Sequence, residues 1–162
     1  MKISRFHIFP IAIIVVILDQ IIKIWISNTL QYAQEISLIK NILSITKVYN
    51  TGAAFSLLEN STVFLSVVSI FAIIAISYYF IRKLKSINLY LITAWGLILG
   101  GTTGNLIDRL WHGYVIDFIK LDFIRFPIFN FADVAINIGT FILLLYILID
   151  RESKEENVEQ NG

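Results

Sequence analysis

Residues 104–123 read GNLIDRLWHGYVIDFIKLDF, and they place three carboxylates close together directly after a long apolar run. The run, residues 89–107, contains no charged residue. It is long enough to cross a bilayer, because about 20 helical residues span the roughly 30 Å of hydrocarbon. The stretch therefore predicts a membrane helix that ends close to Asp108. The charged residues that follow the apolar run are Asp108, Arg109, Asp117 and Asp122.

The composition of the whole chain agrees with a membrane location. Of the 162 residues, 57% are apolar and 15% are charged, whereas soluble domains carry about 25% charged residues. The net charge of +1, without a block of basic residues, predicts no nucleic-acid partner. The absence of cysteine excludes disulfides, thiolate metal sites and a cysteine nucleophile.

Four apolar segments have the length of transmembrane helices: 8–26, 63–81, 89–107 and 131–149. A secretory signal peptide is the alternative for the first segment, because Lys2 and Arg5 precede it. We favour a membrane helix there, since the apolar stretch continues past Asp19 and no A-x-A site follows.

Lysine and arginine occur at three places outside the apolar segments. They precede the first segment, link the second to the third, and follow the fourth: Lys2, Arg5, Arg82, Lys83, Lys85, Arg151 and Lys154. The positive-inside rule makes these regions cytoplasmic. Both termini are then predicted to lie inside, and the links 27–62 and 108–130 to lie outside.

The first outer link predicts β-structure. Ile36 and Leu38, then Leu43 and Ile45, alternate with polar residues. The following YNTGAAF permits a turn or a close backbone approach. We expect a small β-element on the outer membrane surface. Residues 1–150 are predicted to form one membrane domain, and the polar tail, 151–162, to be disordered in the cytosol.

Gly96, Gly100 and Gly104 recur every fourth residue and line one face of the third helix. This spacing lets helices approach closely in lipid. A nucleotide-binding loop is disfavoured, because no strand precedes these glycines and no G-x-G-x-x-G is present.

Several polar residues share helix faces within the apolar segments. Asp19 and Lys23 are four residues apart on the first helix, so they should pair or face a polar interior. A structural and a functional role are both open for them. Asn105, Asp108 and Arg109 share a face of the third helix. Arg109 would either anchor at lipid headgroups or bond to a carboxylate or carbonyl of an outer link.

Asp117 and Asp133 each have an ordinary explanation. Asp117 is explained as a loop carboxylate paired with Lys120, and Asp133 as a first-turn acid behind an Asn130 helix cap. Together, however, they lie at one outer level, at the ends of consecutive antiparallel helices. Two carboxylates that share one proton are the catalytic groups of an aspartic protease. One serves as base to a water, and the other polarises the scissile carbonyl.

Other catalytic schemes lack parts. His7 and His112 are isolated, and neither H-E-x-x-H nor G-x-S-x-G occurs. The sequence predicts no metal site and no cofactor.

Five motifs, in order, carry a family resemblance: DQIIK (19–23), NTGAAF (50–55), GNLIDR (104–109), GYVIDF (113–118) and FNFAD (129–133). The chain resembles the bacterial lipoprotein signal peptidase family, also called signal peptidase II. The resemblance implies an all-α membrane protein of four transmembrane helices with a small β-cradle on the extracytoplasmic face. It implies an aspartic endopeptidase that removes the signal peptide from prolipoproteins, on the N-terminal side of the lipid-modified cysteine.

The resemblance also assigns residues and a location. The catalytic pair would be Asp117 and Asp133. The supporting and substrate-binding residues would be Asp19, Lys23, Asn50, Asn105, Arg109 and Asn130. The protein is expected in the bacterial cytoplasmic membrane as a monomer, with membrane lipid and diacylglyceryl-modified prolipoproteins as partners.

Two other classes of function remain as alternatives. A small proton-coupled transporter would place its key carboxylate near the bilayer midplane. Asp19 is deep enough for that role, but Asp117 and Asp133 are not. A purely structural membrane subunit would leave the outer-level charges unexplained.

Overall fold

The computed structural model describes residues 3–52, 61–82 and 86–159. Each predicted apolar segment falls in a separate helix. The helices are α1 (Ile8–Thr29), α2 (Thr62–Arg82), α3 (Leu89–His112) and α4 (Phe131–Glu159). The strands are β1 (Ile3–Ser4), β2 (Glu35–Ile39), β3 (Leu43–Asn50), β4 (Ser86–Ile87) and β5 (Val115–Leu121).

Within the described ranges, three helices are long and apolar enough to cross a membrane: Arg5–Thr29, Thr62–Arg82 and Phe131–Asp150. The helix α3 is of similar length, but its glycines, threonines and Asn105 make it less apolar. It is also the central helix, packed against α1, α2 and α4. A helix shielded from lipid in this way can carry more small and polar residues. The prediction that α3 also crosses the membrane, as a fourth transmembrane helix, is therefore supported by its length and not by its composition.

The glycine stripe of α3 is a close helix contact, as the spacing predicts, and the helix it faces is α1. A Cβ added at Gly96 would lie 2.8 Å from the Ile11 side chain, and one at Gly104 would lie 2.5 Å from Asp19 Oδ2. A Cβ at Gly100 would similarly meet α1. The close packing of α1 on α3 therefore requires these glycines.

The apolar side chains divide into an interior and an exterior set. One buried cluster joins α1, α2 and α3 through Ile8, Ala12, Phe80 and Leu99. Many large apolar side chains instead point outward from α1, α2 and α4, among them Ile13, Ile17, Ile21, Val63, Phe71, Ile74, Phe141, Leu144 and Leu148. An exposed apolar surface of this extent is what a lipid environment would cover.

The links 27–62 and 108–130, which are predicted to lie outside, contribute a three-stranded antiparallel sheet in the order β2-β3-β5. The strands β2 and β3 confirm the predicted β-element. The strand β5 was not predicted, and it places Asp117 on a strand and not in a loop. Its first four residues are all buried, so the sequence shows no alternation of apolar and polar residues. Ile116 and Phe118 pack against Ile26 and Leu30, so the sheet contacts the C-terminal end of α1.

Some predictions differ from the structure or lie outside it. The helix α4 continues to Glu159, so the polar tail begins as helix where disorder is predicted. Glutamate and lysine favour helix, and extending an existing helix needs no new nucleus. The predictions for Lys2, residues 53–55, Lys83, Lys85 and residues 160–162 lie outside the described residues.

Candidate active site

Asp117 and Asp133 are brought together by the segment that precedes α4. The N–H groups of Phe118 and Ile119 donate to the carbonyl of Phe129 at 3.0 and 2.8 Å, and Phe129 N–H donates to Ile119 O at 3.1 Å. The next residue, Asn130, therefore lies beside β5, and α4 begins immediately after it. A strand residue and a first-turn helix residue thus meet at one place.

Asn130 contacts both aspartates and is completely buried. Its Nδ2 donates to Asp117 Oδ1 at 2.6 Å, and its backbone N–H donates to Asp133 Oδ2 at 3.1 Å. Its Oδ1 accepts from the Asp133 N–H at 2.9 Å. The last two bonds are a reciprocal capping box. The helix-cap interpretation of Asp133 is therefore confirmed, and the cap also brings Asp133 to Asp117.

The remaining oxygens of the two aspartates are held by two further asparagines. Asn50 Nδ2 donates to Asp117 Oδ2 at 2.8 Å, and Asn105 Nδ2 donates to Asp133 Oδ1 at 2.8 Å. Asn105 Oδ1 in turn accepts from Asn130 Nδ2 at 3.0 Å. Every oxygen of the two carboxylates thus accepts a hydrogen bond from an asparagine. A carboxylate oxygen has two lone pairs, so each retains room for a proton or a water.

Lys23 lies behind this layer. Its Nζ is 3.0 Å from Asn105 Oδ1, 2.8 Å from Asp19 Oδ2 and 3.0 Å from Asp108 Oδ2. The predicted pairing of Asp19 with Lys23 is confirmed. Gln20 bridges the two acids, with its Nε2 at 3.2 Å from Asp19 Oδ2 and 3.0 Å from Asp108 Oδ1.

The sequence reasoning assigned neither Gln20 nor Asp108 to the site. Both residues lie inside the quoted motifs, Gln20 directly after Asp19 and Asp108 three residues after Asn105. Asp108 shares the helix face of Asn105, and that shared face was the available signal.

Arg109 reaches an outer link, as one of its two interpretations predicts. Its Nη2 donates to the Gly52 carbonyl at a long 3.4 Å. Its Nε is buried and has no hydrogen-bond partner among the described residues. The positive charge of Arg109 acts on both Asp133 and Asp117. The guanidinium therefore lies within electrostatic range of both carboxylates and contacts the link that carries Gly52.

The two aspartates differ in environment. Asp117 is 2% exposed, whereas Asp133 is half-buried. Burial, and secondly the charge of Asp133, raise the pKa of the Asp117 carboxyl to about 7, although hydrogen bonds from Asn50 and Asn130 act to lower it. Asp117 can therefore hold a proton close to neutral pH, beside a more accessible carboxylate.

The predicted pairing of Asp117 with Lys120 is wrong. Lys120 Nζ instead lies 2.6 Å from Glu35 Oε2 and 3.3 Å from Asp122 Oδ1. Asp117 opposes Val48 of β3 in the sheet register, on the face where Asn50 reaches it. Its neighbours are therefore the site asparagines and not the surface lysine.

The described residues contain no group of three or more histidine, cysteine, aspartate or glutamate side chains arranged to hold a metal ion. Between Asp19 and Asp108, the position of a cation is taken by the Lys23 ammonium. The arrangement of Asp117 and Asp133 suits proton transfer between two carboxyls and a bound water.

Comparison with known proteins gives consistent matches over most of the chain. Residues 11–149 match the family model described as signal peptidase (SPase) II. A lipoprotein signal peptidase of Lactiplantibacillus plantarum is 40% identical over 140 residues, covering 86% of this chain and 93% of the relative. One from Streptococcus thermophilus is 38% identical over 149 residues, covering 91% and 94%. A solved bacterial membrane enzyme is similar with a TM-score of 0.85 and 36% identity, covering 91% of this chain and 90% of that one.

Proposed function

The chain belongs to the signal peptidase II family, and on that premise we propose that it is an aspartic endopeptidase whose catalytic pair is Asp117 and Asp133. It is a multi-pass protein of the bacterial membrane, and it removes signal peptides from prolipoproteins. The supporting residues are Asp19, Lys23, Asn50, Asn105, Arg109 and Asn130, of which the three asparagines contact the pair directly. We propose that the enzyme acts as a monomer.

The observation that supports the catalytic pair is the shared contact with Asn130. A buried amide that bonds one aspartate with its side chain and the other with its backbone fixes both carboxylates relative to each other. Such preorganisation matters because effective proton transfer requires donor and acceptor within hydrogen-bond reach of the reacting atoms. A helix cap alone requires only the bonds between Asn130 and Asp133. It leaves unexplained why Asp117 is buried against the same amide.

The proposed reaction uses the two different environments. Asp117 carries the shared proton and donates a hydrogen bond to the scissile carbonyl. The accessible Asp133 takes a proton from a water, whose oxygen attacks the carbonyl carbon. The carbonyl oxygen receives the Asp117 proton as the tetrahedral intermediate forms. When the C–N bond breaks, the proton on Asp133 passes to the leaving amine, and a hydroxyl proton of the intermediate returns to Asp117.

The position of the pair supports an active site at the outer membrane boundary. The site lies at the start of α4, beside the C-terminal halves of α1 and α3. Arg82 and the paired strands β1 and β4 lie at the other ends of the helices. We propose that α3 is the fourth transmembrane helix, that both termini are cytoplasmic, and that the sheet is the extracytoplasmic cradle. The scissile bond would then lie just outside the apolar helix of the signal peptide.

The proton-coupled transporter is not supported, because the matched relatives are peptidases. The carboxylate pair also lies at the helix ends and not at mid-helix, where transporters place coupling acids.

Cleavage by purified protein tests the proposal. A prolipoprotein with a diacylglyceryl group on its cysteine and the same protein without the lipid are incubated with the enzyme in detergent, and the products are identified by mass spectrometry. We expect cleavage of the lipid-modified substrate directly before the cysteine. Failure to cleave it, or a proton flux into liposomes without any peptidase activity, would contradict the proposal.

A further inference from the structure

A buried ionic cluster lies directly behind the aspartate pair. Lys23, Asp19 and Asp108 are exposed by only 1%, 0% and 1%. The single ammonium lies 2.8 Å from one carboxylate and 3.0 Å from the other. Burying charged groups is costly unless they are paired and hydrogen-bonded. The cluster is therefore confined to the one geometry that satisfies all three groups.

Each carboxylate of the cluster also holds the backbone that precedes one member of the pair. Asp19 Oδ1 accepts from the N–H of Ala132 at 3.0 Å, and Ala132 precedes Asp133. Asp108 Oδ2 accepts from the N–H of Ile116 at 3.2 Å, and Ile116 precedes Asp117. The helix carrying one aspartate and the strand carrying the other are thus tied to the same lysine.

On the basis of the proposed function, we infer that Lys23, Asp19 and Asp108, bridged by Gln20, are positioning residues that set the spacing between the catalytic carboxylates. None of the four contacts Asp117 or Asp133 directly through a hydrogen bond. Lys23 acts additionally through Asn105, whose other end donates to Asp133. We call these four residues the positioning cluster.

The hydrogen bonding of the cluster requires carboxylates and not amides. Asp19 Oδ1 faces the Ala132 N–H, and its Oδ2 faces Lys23 and Gln20. Asp108 is similar, because both of its oxygens face only donors. An asparagine at either position would turn an NH₂ group toward a donor. One bond is then lost whichever way the amide is oriented.

The test separates positioning from folding and from substrate binding. Asp19→Asn and Asp108→Asn are assayed with the diacylglyceryl prolipoprotein, and kcat, KM and Tm are measured for each. We expect kcat to fall about 10²-fold, the loss that a misplacement of about 1 Å produces, with KM within about twofold. The matched control is Asp122→Asn, whose carboxylate accepts from Ser44 Oγ at 2.6 Å in the sheet. Its kcat should stay within about twofold of that of the wild type.

Removing one member of a buried ion pair can unfold a protein, so a neutral variant is included. Gln20→Leu removes the bridge between Asp19 and Asp108, together with the 3.2 Å contact to the Gly104 carbonyl, without changing any charge. We expect kcat to fall about 5- to 10-fold with Tm retained, as for the loss of one or two hydrogen bonds. This variant decides the question if the asparagine variants do not fold.

Three outcomes would overturn the positioning role. They are an unchanged kcat in the folded variants, a lowered Tm with unchanged kcat per folded enzyme, and a raised KM with unchanged kcat. Failure of the catalytic assignment itself looks different, because Asp117→Asn would then retain cleavage in the same assay.

Discussion

The substitution Gly104→Ala, which adds a methyl group next to Asp19, should strongly reduce the cleavage rate. The added Cβ would lie 2.5 Å from Asp19 Oδ2 and 3.1 Å from its Cγ, whereas ordinary contact begins at 3.4 Å. The Asp19 carboxylate must therefore retreat by about 0.9 Å to reach ordinary contact distance.

The same retreat strains the other bonds of Asp19. They include the 2.8 Å contact with Lys23, the 3.2 Å bond from Gln20 Nε2 and the 3.0 Å bond from Ala132 N–H. Any of these bonds that lengthens by most of this distance is effectively lost. Because α4 begins at this anchor, Asp133 moves with it. We expect kcat of Gly104→Ala to fall about 10²-fold.

Gly96→Ala is the matched control for helix packing. It lies on the same face of α3, about 12 Å along the helix axis, and its Cβ would lie 2.8 Å from the Ile11 side chain. Overpacking there should cost about 1–3 kcal/mol of stability without moving Asp19. Cleavage kinetics and Tm are measured for both variants. Wild-type kcat in Gly104→Ala, or an equal loss of kcat in Gly96→Ala, would refute the reasoning.

Three further predictions concern pH, metal ions and topology. The pKa of Asp117 is raised to about 7, mainly by burial, so its proton is present below that pH and lost above it. We therefore expect kcat/KM to fall as pH rises through about 7. A kcat/KM that still increases at alkaline pH would contradict this. Cleavage should survive chelators, since the described residues form no metal-binding group; loss that a divalent ion restores would favour a metallopeptidase. Cysteines introduced at Thr51 and Ser86 report the orientation on whole cells, where a membrane-impermeant thiol reagent should label only Thr51→Cys; labelling of Ser86→Cys alone would reverse the topology.

The helices were predictable because their signal is local. Long apolar runs give α1, α2 and α4 directly, and the spacing of Gly96, Gly100 and Gly104 predicts a close helix contact, although not that its partner is α1. The alternation in β2 and β3 is likewise read within a few residues. The strand β5 lacks this alternation, because its first half is buried on both faces.

The site was predictable only in part. Asp117 and Asp133 could be proposed as a pair because the sequence predicts them at one membrane level. Asn130, which contacts both, is placed by the pairing of Phe129 with β5. No local sequence pattern predicts that pairing. The sequence places Asp108 on the same helix face as Asn105. Its hydrogen bond from the Ile116 N–H could not be predicted, because it forms only when β5 folds back on α3. The cap and the catalytic-pair interpretations of Asp133 do not exclude each other, because Asn130 forms the cap and also contacts Asp117.

The substitution of each aspartate by asparagine tests the central claim most directly. Asp133→Asn keeps an oxygen that can accept the Asn130 N–H, so the helix cap survives, while its new NH₂ group faces Asn105 Nδ2 and that hydrogen bond is lost. We predict that Asp117→Asn and Asp133→Asn each lower kcat by about 10²- to 10⁴-fold while the protein remains folded, and that the double variant is no worse than either single one. Cleavage of the diacylglyceryl prolipoprotein within about tenfold of the wild-type rate by either folded variant would contradict the account.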